Sequence, residues 1–308
     1  MALTLLEAAK AYSGDVVRQA VIELYAESND ILAAMPFENI SGNALKYNRE
    51  ESLPGVGFRG VNEAYTEGAG VLNPQTESLV IAGGDLDVDK FIIDTQGEGV
   101  RSMHEAMQIK ALANRLALAF IKGDTSTNPR ELAGLQSRVT GDQLMSAGTT
   151  SGGAALSLGK LDELIDAVDN PTHLIMNKSM RRKLSTAART PAVGGYITYE
   201  QDAFGRRQMY YGDLPILIAD KDNEGNDILP YNEASSSGGA TSTSIYAVSF
   251  TDDGVVGLQN GDIQARDLGE LDEKPVFRTR VEWYPGLAIF KGRAVARMRH
   301  IGDLAIVA

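Results

Sequence analysis

The sequence predicts an α+β protein, on three observations. Residues 97–122 repeat apolar positions at helical spacing over a single long stretch. Residues 44–48, 76–82 and 276–283 have the composition and the alternation of strands. A run of small residues at 148–157, GTTSGGAALS, then opens a second body that mixes short helices with short buried strands.

The elements follow in order. Residues 2–10 and 14–33 read as helices. In the second, Val16, Val17, Ala20, Val21 and Leu24 recur on one face and Asp15 sits near the positive end of the dipole. Pro36 ends it, because the residue before a proline avoids the helical region. Residues 43–82 then carry two strand signals separated by YNREESLPGVGFRGVNEAYTEG and a glycine-containing return. So long a middle excludes a tight hairpin and predicts an extended two-stranded ribbon leaving the body. At about 3.3 Å per residue, an arm of about 15 residues reaches about 50 Å. An isolated ribbon is marginal in water, so a neighbouring molecule is its natural support.

Residues 97–122 form the clearest helix, a rod of about 40 Å. Ile109, Leu112, Leu116 and Phe120 line one stripe, and Met103, Met107 and Ala111 another. Gly123 supplies the stop. Beyond 157, Leu161, Leu164, Ile165 and Val168 form a helix stripe, HLIM at 173–176 a buried strand, and Asn177 the cap of a helix bearing Met180, Leu184 and Ala188. Residues 196–219 read as strand, turn, strand, 235–244 as a loop, and 244–250 as a buried strand. Residues 276–299 read as two strands split by Pro285-Gly286, with Phe277, Thr279, Val281 and Trp283 on one face and Arg278, Arg280 and Glu282 on the other.

Bulk composition narrows the function. The net charge of −12 argues against a dedicated nucleic-acid binder, which needs clustered Lys and Arg. The chain has no Cys, which excludes disulfides, thiolate chemistry and Cys-based metal sites and favours a reducing compartment. The N-terminus lacks the basic and apolar regions of a signal peptide, and no apolar run approaches the length of a bilayer span, so no membrane partner is expected.

The candidates for chemistry are few. His104, His173 and His300 stand alone, without metal-type spacing. Asp85, Asp87 and Asp89 share one strand face, a pattern for a hard cation or for a solvated face. Asp220, Asp222, Glu224 and Gly225 start a calcium-loop pattern, but Tyr231 stands where its bidentate glutamate belongs, so a hairpin turn is the better reading. Arg181, Arg182, Lys183 and Arg189 read as a solvated helix face in so acidic a chain. No phosphate-cradling loop, nucleophile elbow or dinucleotide fingerprint is present. No catalytic, cofactor or metal residue is therefore assigned, and the chain reads as a non-enzyme.

The order of arm, ribbon, long helix, separate α+β lobe and returning strands resembles the major capsid proteins of tailed bacteriophages, with their HK97-like fold. The resemblance is carried by MALTLLEAAK, MPFENISGNALKYNREESLPGVGFRGVNEAYTEGAG, GGDLDVDKFIIDT and WYPGLAIFKGRAVARMRHI, and covers almost the whole chain. It implies an N-terminal arm at 1–40, the E-loop ribbon at 41–82, and a peripheral domain at 83–150 with its spine helix at 97–122. It also implies an axial domain at 151–254, with strands at 255–308 completing the peripheral domain. The implied function is self-assembly, as hexamers and pentamers, into an icosahedral virion shell around double-stranded DNA, built in the host cytoplasm.

Implied partners are other copies of the chain, a portal protein, and scaffolding or decoration proteins, with the DNA in loose contact only. Some relatives carry a long fused scaffolding segment. Here the arm-like sequence starts at Met1, so a separate scaffolding protein or none is expected. Other relatives cross-link a ribbon Lys to a neighbour's Asn. Lys46, near the ribbon base, is the only Lys in 42–82, and no cross-linking is expected. Tyr47, Arg49, Phe58, Arg59, Glu63, Tyr65 and Glu67 are the candidate inter-subunit contacts. An encapsulin-type compartment of the same fold is the alternative. A metal-dependent hydrolase using Asp85, Asp87, Asp220 and Asp222 is a remote one.

Overall fold

The computed structural model describes residues 3–4, 29–65, 67–97, 99–189, 197–201 and 207–307. In chain order the first elements are β1 (Leu3–Thr4), α1 (Asp30–Ala34), β2 (Pro36–Asn39), β3 (Ala44–Ser52), β4 (Val71–Ser78), β5 (Ala82–Asp89), α2 (Lys90–Gln96), α3 (Gly99–Lys122) and α4 (Leu135–Arg138). Then come β6 (Leu144–Ser146), α5 (Leu158–Asp166), β7 (His173–Met176), α6 (Lys178–Ala187), β8 (Ile197–Gln201), β9 (Arg207–Tyr211) and β10 (Leu214–Ile218). The chain ends with β11 (Ser242–Val248), β12 (Val255–Gln259), β13 (Gln264–Glu270), β14 (Val276–Trp283), β15 (Pro285–Ile289) and β16 (Val295–Gly302).

A seven-stranded sheet, ordered β6-β16-β11-β7-β10-β9-β8, organises the molecule. Its strands β11 and β16 are buried along almost their whole length, because both faces of the sheet are covered. Leu174, Met176, Ile245, Ala247, Ala296 and Met298 face a core shared with Leu161 and Leu164 of α5 and Met180 and Leu184 of α6. Ile175, Leu217, Tyr246 and Val248 face the opposite way, into a core filled by Ile109, Leu112, Leu116 and Phe120 of α3. That is the stripe expected of the long helix. Met103 and Met107, on its first half, are exposed. The Asn177 cap is as the sequence suggests, its Oδ1 accepting from Met180 N at 2.6 Å; Asp89, read from the sequence only as part of a strand face, also caps a helix, its Oδ1 accepting from Phe91 N at 2.8 Å.

Two smaller sheets extend the core around α3. One is ordered β1-β2-β12-β15, the other β13-β14-β5. On β14, Thr279, Val281 and Trp283 are buried, and the Trp283 ring lies 5.2 Å from Phe37. Arg278 and Arg280 point the other way, as the alternation requires.

Four expectations are corrected. Leu3 and Thr4, read as helical, are extended and pair with Phe37 and Pro36 at an otherwise open edge of β2. The remaining expected N-terminal helix, up to residue 28, lies outside the described residues. Pro285 and Gly286 do not divide two strands. They begin a third, β15, which pairs with β12 through Gln259↔Pro285 and Leu258↔Gly286, since a first-position proline costs the ladder little. Residues 196–219 hold three strands, because a two-residue Gly212-Asp213 turn, with Gly212 at φ 57°, reverses the chain between Tyr211 and Leu214. Finally, β16 lies inside the 255–308 span assigned to the body around the long helix, yet it pairs with β11 in the seven-stranded sheet. Buried on both faces, its period carries no mark of which sheet it joins.

Candidate assembly interface

β3 and β4 form a separate two-stranded antiparallel sheet, with Ala44 opposite Ser78 and Ser52 opposite Val71. The ladder is about 30 Å long at the usual rise per residue. Beyond it, the described residues 53–65 and 67–70 form a tip without regular pairing, so the paired part is shorter than the expected reach. Lys46 pairs with Thr76, near the base.

The tip has its own order. The Glu63 N–H donates to Gly60 O at 3.3 Å across a turn, and Asn62 takes the positive φ of 68° that such a turn places at its third residue. The Glu63 carboxylate accepts from Gly60 N at 2.8 Å. The Arg59 guanidinium donates to Glu63 O at 3.3 Å and lies 5.1 Å from the centre of the Tyr65 ring. The two rails of the tip meet at Gly68, where a Cβ would stand 2.7 Å from Gly55 N, so only glycine allows the approach. Around this frame Leu53, Val56, Phe58, Val61 and Tyr65 are exposed, Phe58 completely. Glu67 is exposed as well. A contiguous apolar surface of this kind marks a site that another surface covers.

The base behaves differently. Tyr47 Oη donates to Ile289 O at 2.9 Å, and its ring meets Phe290 edge-on at 4.9 Å. Burial pushes the Tyr47 hydroxyl pKa up. Arg49 Nη2 donates to the same carbonyl at 2.6 Å. Both residues, expected at the inter-subunit contact, are held by the chain's own β15 and the residue after it. Glu77 accepts both guanidinium nitrogens of Arg138, at 2.6 and 2.8 Å. No local pattern marks this pair, whose members are 61 residues apart.

The four aspartates of the hydrolase reading are dispersed among other duties. Asp85 takes two bonds from Arg280, at 2.6 and 2.8 Å. Asp87 takes two from Arg278, each at 2.6 Å. These pairs are cross-strand partners in register, and the arginines hold both carboxyl pKa values below the usual range. Asp220 pairs with Lys178 at 2.5 Å. Asp222 Oδ1 accepts from Glu224 N and Asn226 N, which makes ADKDNEGND a turn closed by the Lys221↔Asp227 bridge. Among the described residues no three His, Asp or Glu side chains gather as metal ligands. Of the basic residues on α6, Lys183 is mostly covered: it pairs with Asp303 at 2.5 Å and lies 5.0 Å from the Tyr231 ring. Among the described residues no helix is long and apolar enough to cross a membrane.

A two-stranded ribbon, a long half-buried helix and a doubly covered sheet are the parts of an HK97-like fold, and comparison with solved structures gives the same fold. The chain superposes on the holo-SrpI encapsulin complex from Synechococcus elongatus PCC 7942 with a TM-score of 0.65, at 16% identity, over 90% of this chain and 89% of that one. For a chain of Mycobacterium phage Adephagia the TM-score is 0.63, at 11% identity and 90% of each chain. For the capsid of an empty GTA particle it is 0.61, at 14% identity, over 89% of this chain and 90% of that one. No curated protein matches the sequence. Residues 13–157 match the profile of the family described as Major capsid protein GP7. That match covers a little under half of the chain, and the superpositions show an HK97-like fold over nearly all of it.

Proposed function

We propose that the chain is a major capsid protein, that it assembles with copies of itself into a virion shell enclosing double-stranded DNA, and that the ribbon carries this assembly. The supporting observation is the contrast within the ribbon: its base is bonded to its own body, while its apolar tip has no cover among the described residues. Copies packed as hexamers and pentamers lay each tip on a neighbour, through Phe58, Tyr65 and the charges of Arg59, Glu63 and Glu67. Residues 1–40 serve as the arm, the body around α3 as the peripheral domain, and residues 151–254 as the axial domain. The net charge of −12 suits a wall that packaged DNA must not adhere to. The role is structural, without catalysis. A portal protein, and separate scaffolding or decoration proteins, are the further partners, and assembly takes place in the host cytoplasm. Negative-stain microscopy of the purified protein tests this: closed shells are expected, and monomers at every concentration would refute it.

An encapsulin-type compartment is the second reading, favoured by the superposition on the SrpI encapsulin over nine-tenths of both chains. The contents of shells from producing cells separate the two: nuclease-protected DNA supports the phage reading, and one enriched protein cargo supports the compartment.

A further inference from the structure

We propose that Glu77 and Arg138 are positioning residues for assembly. With Tyr47 and Arg49 they clamp the ribbon base to the body at two points and set the angle at which the tip is presented. This rests on the assembly reading above and adds residues that act through the ribbon, without touching the neighbour.

The clamp follows from the register. Leu45 lies opposite Glu77, Tyr47 opposite Gln75 and Arg49 opposite Asn73, so Tyr47, Arg49 and Glu77 share one face of the ribbon. That face is turned to the body. On one strand, Tyr47 and Arg49 converge on the single carbonyl of Ile289. On the other, Glu77 meets Arg138 of α4, whose Nε is fixed in turn by Ala133 O at 2.7 Å. The two points are joined, since Tyr47 Oη is 3.4 Å from Glu77 Oε1.

A paired guanidinium and carboxylate fixes direction as well as distance. The Arg138 and Glu77 side chains are only 18% and 14% exposed, so salt screens the pair poorly. Between ribbon and body runs an open groove of about 530 Å³, lined by Arg49, Gln75, Glu77, Arg138, Thr140 and Gln143. The ribbon base is therefore bridged across a gap by these bonds. Any angular play there is magnified along a lever of about 30 Å.

The chain contains no Cys, so a pair of introduced ones is labelled uniquely. Spin labels at Ala64→Cys on the tip and Thr125→Cys on the body report the ribbon angle as a distance distribution in the full-length subunit. Glu77→Gln and Arg138→Ala are expected to broaden it about twofold or more, with unchanged circular dichroism. The exchange Glu77→Arg with Arg138→Glu is expected to narrow it again. Tyr47→Phe, which removes only a hydroxyl, broadens it less and serves if the charge variants fail to fold. In assembly, Glu77→Gln is expected to give shells of mixed diameter under conditions where the wild-type chain gives one size.

Equal distribution widths in wild type, Glu77→Gln and Tyr47→Phe overturn the proposal, as does a wild-type distribution already as broad as the variants'. A wild-type chain that never forms shells defeats the assembly reading, while the distance measurement still decides whether the clamp exists.

Discussion

His173 opens β7 with its ring 5.2 Å from Phe250 and its Nδ1 2.9 Å from Thr172 Oγ1. Burial drives its pKa down to about 4. His300 is also buried, beside Ser146 Oγ at 2.9 Å, and burial together with Arg299 and Arg297 lowers its pKa too. A histidine depressed in the folded state contributes stability while neutral. That contribution is complete above the unfolded pKa near 6.5 and is lost as pH falls towards 4. For His173 it amounts to about 3 kcal/mol or less at neutral pH. The unassembled subunit should therefore lose stability to urea between pH 6.5 and 4, and His173→Gln should flatten that slope. An unchanged slope would remove His173 as the cause. A second residue-scale case is Arg297, whose side chain is 9% exposed and pairs with the equally covered Glu233 at 2.8 Å. Glu233→Ala should cost about 3–5 kcal/mol by leaving a buried cation alone, whereas replacing both with apolar residues of similar volume costs far less. Urea denaturation of the two variants checks the asymmetry. Neither environment was legible in the sequence, because the groups around each residue come from distant segments.

At the scale of the element, the ribbon separates local from tertiary information. Its strands, its long middle and its apolar tip are written in composition and alternation between residues 43 and 82. The division between a body-bound base and a free tip is not, because Tyr47 and Arg49 find their partner carbonyl more than 200 residues away. Arg59 and Glu63 first hold the tip's own turn. Val56→Ser with Phe58→Ser should leave subunit stability within about 0.5 kcal/mol, as for exposed positions generally, while sharply reducing the assembled fraction seen by light scattering. Arg59→Ala with Glu63→Ala should weaken assembly by loosening the tip, with faster hydrogen exchange confined to residues 60–65. Loss of stability in the whole subunit would mean that the tip serves the fold.

For the whole molecule, an extended symmetric shell needs one chain in several slightly different settings. Gly55 to Gly60, Gly68 to Gly70 and Gly152-Gly153 are the segments expected to absorb the difference. Comparing the symmetry-independent copies in one shell checks this, and equal rigidity at these glycines would count against it. The position of Lys46 at the ribbon base, opposite Thr76, bears on cross-linking. Assembled shells boiled in detergent should run as single chains on a denaturing gel, and a ladder of covalent multimers would contradict that.

By itself the sequence determined the α+β class, the long helix and its buried stripe, the cap at Asn177, and a ribbon too apolar at its tip to stand alone. These are decided by period, capping chemistry and composition, which act over a few neighbouring residues. Only the tertiary structure decided that β15 begins at Pro285, that β16 crosses into the seven-stranded sheet, and that Glu77 meets Arg138. Strand partners and ion pairs are set by which distant segments share a core. A strand covered on both faces has no solvent face to mark which sheet it joins.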